Sequence, residues 1–491
     1  MRYFVLLVLS GALVAGCAPA TPEMRVVAGA AQAMGGLAKI QAVKTFSIEG
    51  SGETFNLGQN RAPDSDLPKY EVSEYRQSTD LTNRRWREEY VRKPTFLTGN
   101  PAPQRRVAGC DGDVAFDVAT DGKVSRVAAM VARDRRAELY HHPIGFLQAA
   151  SAQGAKLENA RQEGGQDAVD LITPGGERFT LSIESSSKLP TRIASKSYNT
   201  NLGDVWVTTE FGEFVDSDGL KLPGRISRKI DQDKVADIRV SKTAINADAG
   251  SLAAPEEARA AAEPAPTAEV TAEEVAKGIW YLAGQTHHSV LVEFADHLTL
   301  VEAPQNDART LAVIAKAREL RPEKPLKEVV NTHHHFDHSG GIRAAISEGL
   351  TVITHELNRP FFEAMAARPC TVFQDALSKN PKPLSIETVA DKKVLTDGKR
   401  SVEIYPVTDN PHCASMLMVY FPAERLLAEV DAYSPPAPNA PTPPAFPFAA
   451  NLLDNIEKRG LRVDRLLPLH GRIVPLRDLV AVARAVPKPT D

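Results

Sequence analysis

The ten residues Thr332-His333-His334-His335-Phe336-Asp337-His338-Ser339-Gly340-Gly341 constrain this chain more than any other stretch. His333, His335, Asp337 and His338 each offer a side chain that binds metal. The run before them, Glu328 to Thr332, reads as a short buried strand. The run after them, Ile342 to Glu348, reads as a helix stopped by Gly349. The four residues therefore belong to a loop at a strand end, where a rigid scaffold presents polar groups. Imidazole nitrogen with carboxylate oxygen suits zinc and, less selectively, iron or manganese. A metal takes three or four such ligands, so this stretch must recruit partners from further along.

Three candidates stand beside strand-like runs downstream. His412 follows Asp409-Asn410-Pro411 and precedes the apolar run Met416 to Phe421. Asp431 ends the run Leu426 to Val430, and His470 ends Leu466 to Leu469 and is followed by Gly471. Asp409 and Glu429 are rival carboxylates, but only Asp431 stands at the end of its strand. His334 is left unused and should face away.

This ordered set resembles the metallo-β-lactamase superfamily of metallohydrolases: a T-H-x-H-x-D-H-x-G-G loop, then His, then Asp, then a late H-G. The resemblance covers roughly residues 270 to 490. It implies an α+β fold in this half, an αββα sandwich of two facing sheets with helices outside. It also implies His333, His335 and His412 on a first metal and Asp337, His338 and His470 on a second, with Asp431 bridging them. The activity implied is that of a zinc-dependent hydrolase holding two Zn2+ ions. A metal-bridging hydroxide would attack an ester, thioester or lactone, with Asp337 both ligand and orienter. Such cations lower the pKa of a bound water from near 16 to about 7, so no Ser, Cys or Lys nucleophile is needed.

The ligand set also sorts the branches of that family. Members that use paired iron typically carry Glu where His335 stands. Metallo-β-lactamases proper usually lack an Asp at the place of Asp431, which makes β-lactam hydrolysis a secondary reading. The full set looks more like glyoxalase II, lactonases and phosphodiesterases. About 21 residues follow His470, too few for the helical thioester-recognition region of glyoxalase II. Other readings are a single-iron sulfur dioxygenase and a non-catalytic envelope binding protein. The strand Leu298 to Val301 is followed by Glu302, where the family usually has Asp, so its supporting role is left open.

A length of 491 residues implies more than one domain. Charged residues make up 24% and the formal net charge is −4, which argues against a nucleic-acid partner; a small-molecule substrate is what the resemblance implies. Residues 1–16 read as a signal peptide, with Arg2 before an apolar run. Val14-Ala15-Gly16-Cys17 resembles a bacterial lipobox, with Cys17 as the lipidated residue. Acyl chains there would hold the protein to a membrane, and Ala18 favours the periplasmic side of the outer membrane. No other segment is apolar and long enough to span a bilayer. Cys110, Cys370 and Cys413 are odd in number and suggest no disulfide framework. Cys413 reads as a small residue filling space beside His412.

Residues 22–248 form a first unit of short period-two runs, among them Phe46 to Ile48, Trp86 to Tyr90, Phe179 to Ile183 and Val205 to Val207. With a helix over Val26 to Ala42 broken at Gly35-Gly36, they point to an antiparallel curved sheet. The layout loosely resembles the half-barrel of lipoprotein-carrier domains. Arg84 to Arg87 reads as a solvated strand face, and Tyr140-His141-His142-Pro143 as a loop before the helix Phe146 to Ala152. Residues 249–268 read as a linker, and residues 269–491 as the catalytic domain. The catalytic domain opens with three strands within Gly278 to Glu302. The proline-dense run Ser434 to Pro447 reads as a semi-rigid loop. Its Phe446, with Phe448, either walls a substrate pocket or packs on the sheet.

Overall fold

The computed structural model describes residues 21–97, 101–264, 269–436 and 447–484. Cys17, the signal segment and Phe446 lie outside these. The fold is α+β: a large antiparallel sheet unit followed by a two-sheet sandwich.

In the sandwich, the strands Ile279–Ala283, Ser289–Glu293 and Leu298–Val301 form the expected meander. Leu326–Val330, Thr351–His355 and Ser385–Val389 extend it in parallel. An edge strand, Thr271–Ala276, was not legible in sequence because its Glu-rich run has no apolar face. The second sheet is built from Lys393–Thr396, Ser401–Pro406, Leu417–Phe421, Leu426–Glu429, Arg465–Pro468 and Val474–Pro475.

The run Leu417-Met418-Val419-Tyr420-Phe421 shows why the sheets stack. Leu417, Val419 and Phe421 meet Val290, Val292 and Val301 of the first sheet. Met418 and Tyr420 turn the other way, onto the helices Pro447–Lys458 and Leu476–Ala483. A strand covered on both faces needs an unbroken apolar run. Leu291, between Val290 and Val292, likewise packs on Val313 and Ile314 of the helix Asp307–Leu320 and on Ile346 of Ile342–Ser347. The layers are thus helix, sheet, sheet, helix. Each of these side chains contributes about 1.5–3 kcal/mol by leaving water.

This stacking sets the ends of the strands. The metal-type loop leaves the carboxyl end of Leu326–Val330. Leu426–Glu429 and Arg465–Pro468 are parallel neighbours, so Asp431 and His470 emerge on the same side.

The N-terminal unit holds thirteen strands in one antiparallel sheet among the described residues. One apolar cluster takes Phe46, Val72, Val169, Leu181, Ile193, Phe211 and Ile238 from strands spread across that sheet, together with Ala30 and Phe146 of two helices. The sheet therefore wraps around its helices. Register shifts at Gly50 and Gly52 mark the bend; a Cβ at Gly52 would stand 2.0 Å from the Asp237 carbonyl oxygen. Helices Pro22–Ala33 and Leu37–Gln41 flank Gly35-Gly36, as the sequence suggested. Within 249–268, the short helix Glu256–Ala260 packs Ala258 on Phe116. No described helix is long and apolar enough to cross a membrane.

Candidate metal centre

Two groups of four donors form where the strand ends converge, and a smaller one of His334, His335 and Cys413 lies beside them. His333, His335, His412 and Asp431 offer ligand atoms all within 4.8 Å of one another. His287, Asp337, His338 and His470 form a second group within the same limit. All seven residues expected from sequence thus come together. His287 was missed.

Asp431 lies between the groups. Its Oδ2 is 3.1 Å from His412 Nε2, 3.2 Å from His338 Nε2 and 3.5 Å from His333 Nε2. Its Oδ1 is 3.0 Å from His470 Nε2. Asp431 has a positive φ of 55°, a strained conformation that turns its carboxylate back over the strand ends. The rivals fall away: Asp409 is exposed, and Glu429 is buried and accepts from the Tyr433 N–H at 3.1 Å.

Burial disfavours the Asp431 carboxylate, but the His338 charge and hydrogen bonds from His333, His338 and His412 hold its pKa well below the usual range. Burial also opposes a charge on His338, yet Asp431, Glu302 and Asp337 raise its pKa well above 6.5. His333 and His335 go the other way, lowered first by burial and then by neighbouring imidazoles. Asp337 is opposed by burial but held low by His287 and the His338 charge. Lone pairs are thus available on His333 and His335, and anions on Asp337 and Asp431.

The surroundings orient these donors. Glu302, fully buried, accepts from Thr332 Oγ1 and from Asn331 Nδ2 at 3.0 Å. Its Oε2 stands 3.5 Å from His338 Nδ1. Glu302 therefore fills the supporting role that the sequence left open. His470 Nδ1 donates to the Thr286 carbonyl at 2.9 Å, which leaves Nε2 bare toward Asp431. His287 Nε2 lies 3.2 Å from Asp337 Oδ2, and its ring centroid is 3.9 Å from that of His470. In the sequence His287 stands in a pair, His287-His288, between two apolar runs, with no metal-ligand spacing to mark it.

Other sequence readings find their places. His334 is buried and turns to Ser415 Oγ at 3.1 Å. Cys413 fills space behind it, 3.3 Å from Ser415 Oγ, and burial pushes its thiol up to about 11. The Phe448 ring lies 5.2 Å from that of His412 and forms an apolar wall beside the site. His141 and His142 are core residues: His141 bonds Thr209 and Ser195, and His142 accepts from the Ile144 N–H.

The donor set fits a divalent metal. Imidazole and carboxylate are the ligands zinc takes, and the buried Nδ1 of His335 has no hydrogen-bond partner among the described residues.

The model of the metallo-beta-lactamase superfamily matches residues 283–428. The match includes His287 and every donor up to His412, and stops before Asp431 and His470. Among solved structures, a metallo-beta-lactamase from Pontibacter korlensis is 18% identical, covering 44% of this chain and 98% of its own, at a TM-score of 0.35. One from Hirschia baltica is 18% identical, covering 44% and 97%, at 0.33. FIM-1 from Pseudomonas aeruginosa, in a mono-zinc form, is 17% identical, covering 44% and 94%, at 0.34. No curated protein matches this sequence. The similarity to the metallo-β-lactamase superfamily thus lies within residues 283–428, which hold His287, His333, His335, Asp337, His338 and His412 of the two donor groups.

Proposed function

We propose that this protein is a zinc-dependent hydrolase of esters, thioesters or lactones. His333, His335 and His412 would hold one cation and Asp337, His338 and His470 a second, with Asp431 shared. The observation that carries this reading is the Asp431 carboxylate, whose two oxygens reach histidines of both groups at 3.0–3.5 Å. Bound there, divalent cations supply Lewis acidity and bring the pKa of a coordinated water to about 7.

The chain's own residues supply the rest. Asp337 is the more open of the two acidic donors, with 38% of its side chain exposed against 14% for Asp431, so it is the one that solvent reaches more readily. Its lowered pKa makes it a poor proton acceptor and a good anionic orienter of water. His287 holds one of its oxygens. Glu302 fixes the loop through Thr332 and Asn331. Phe448 offers the acyl part of a substrate an apolar surface beside His412.

The same reading places the protein at the bacterial envelope, anchored through acylated Cys17. The apolar run up to Val14-Ala15-Gly16-Cys17 supports it.

Zinc-loaded protein assayed against esters, thioesters, lactones and β-lactams tests the activity. Turnover of one of the first three classes, abolished in His335→Ala, is expected. Full activity in His335→Ala contradicts the assigned site.

A further inference from the structure

Four consecutive residues of the N-terminal unit touch the metal centre. The Phe336 N–H donates to the Gly58 carbonyl at 3.1 Å. Gln59 Nε2 donates to Asp337 Oδ1 at 2.8 Å. The Asn60 carbonyl accepts from His335 Nε2 at 3.0 Å. The Arg61 carbonyl accepts from the N–H of Ala414, two residues past His412, at 2.8 Å.

These residues belong to the connection between the strands Thr45–Phe55 and Lys69–Asp80. It runs over residues 56–68, far longer than the roughly 2–5 residues of an ordinary hairpin loop. It is held from within. The Asn60 amide donates to the carbonyls of Ala62 at 2.6 Å and Pro63 at 3.0 Å. At its base the Asn56 N–H reaches the Pro68 carbonyl at 2.9 Å. Gly58 has a φ of +74°, and a Cβ there would stand 2.2 Å from Phe336 Cγ. Only glycine lets the loop lie this close.

The contacts have chemical consequences. A carbonyl oxygen only accepts, so His335 Nε2 carries the proton and Nδ1 keeps its lone pair. That Nδ1 is the buried ring nitrogen without a hydrogen-bond partner among the described residues. Asp337 is held from two sides: Gln59 takes Oδ1 and His287 faces Oδ2. Partners behind metal ligands fix tautomer and direction, and their loss costs about 10- to 100-fold in metal affinity.

We propose that the segment Gly58–Arg61 is part of the metal centre, with Gln59 the positioning residue for Asp337 and the Asn60 carbonyl the positioning group for His335. The inference rests on the reading of Asp337 and His335 as ligands. It makes the sheet unit a working part of the enzyme. The two units also meet where Asp204 accepts from the Thr371 and Val372 N–H groups at 2.9 and 3.0 Å, and where Asn201 bonds Ser339 at 2.7 Å. Losing the Gln59 contact therefore leaves them docked.

The test is cobalt(II) titration of metal-free full-length protein, followed by visible absorption and chelator competition. Asp337→Asn identifies the equivalent that depends on Asp337. In Gln59→Leu that equivalent should bind about 10- to 100-fold more weakly, with the other equivalent and the urea midpoint unchanged. Equal affinities in Gln59→Leu and the unaltered chain, or equal weakening of both equivalents, overturn the proposal while leaving the two-cation reading intact. An unaltered chain that takes up no cobalt dependent on Asp337 overturns both.

Discussion

Asp431 reaches His470 with one carboxylate oxygen, Oδ1 at 3.0 Å from Nε2, and turns the other toward His333, His338 and His412. A single acidic side chain therefore joins two donor groups that come from distant parts of the sequence. Two neighbouring parallel strands present Asp431 and His470 side by side, so the geometry follows from the second sheet's order.

His287 belongs to the group of Asp337, His338 and His470. Replacing it with alanine removes the partner of Asp337 Oδ2. His287→Ala should weaken the cation held by Asp337 about 10-fold or more and leave the other unchanged. Stepwise zinc affinities from competition with a chromophoric chelator check this.

Burial lowers the pKa of His142 to about 3, from about 6.5 in an unfolded chain. A depressed pKa means that the unfolded state binds more protons as pH falls. The stability His142 contributes is therefore complete above about pH 6.5 and is lost progressively toward pH 3. Between pH 6.5 and 5 the loss is about 2 kcal/mol. In His142→Asn, which keeps a side chain able to cap the helix Pro143–Ala150, the stability difference between pH 7 and pH 5 should shrink by that amount. Urea unfolding at the two pH values measures it.

Arg343 and Asp375 form an ion pair with both side chains almost wholly buried, bracing the helix Ile342–Ser347 behind the metal loop. Asp375→Ala leaves the guanidinium charged and unpaired. It should cost about 3–5 kcal/mol, visible as a lowered urea midpoint.

An acylated Cys17 gives one clear outcome in cells. The unaltered protein should sediment with membranes and label with a radioactive fatty acid. Cys17→Ser should lose the label and appear in the soluble fraction.

Much of the sandwich was legible because its strands are apolar on both faces, as in Leu417 to Phe421, and its donors stand at their ends. The ligand loop could be read because four metal-binding side chains lie within one short turn. The edge strand Thr271–Ala276 was hidden by its exposed glutamates. His287 was hidden because a histidine pair between two strands has no spacing that marks it as a ligand. Gln59 left no local signal at all: its role exists only through a contact with Asp337, 278 positions away.

Zinc content per chain, measured by elemental analysis after equilibration and desalting, bears most directly on the shared carboxylate. The unaltered protein should hold two zinc ions and Asp431→Asn fewer than two, with its fold retained by circular dichroism. Two tightly held ions in Asp431→Asn, or none in the unaltered protein, would contradict a cage built around Asp431.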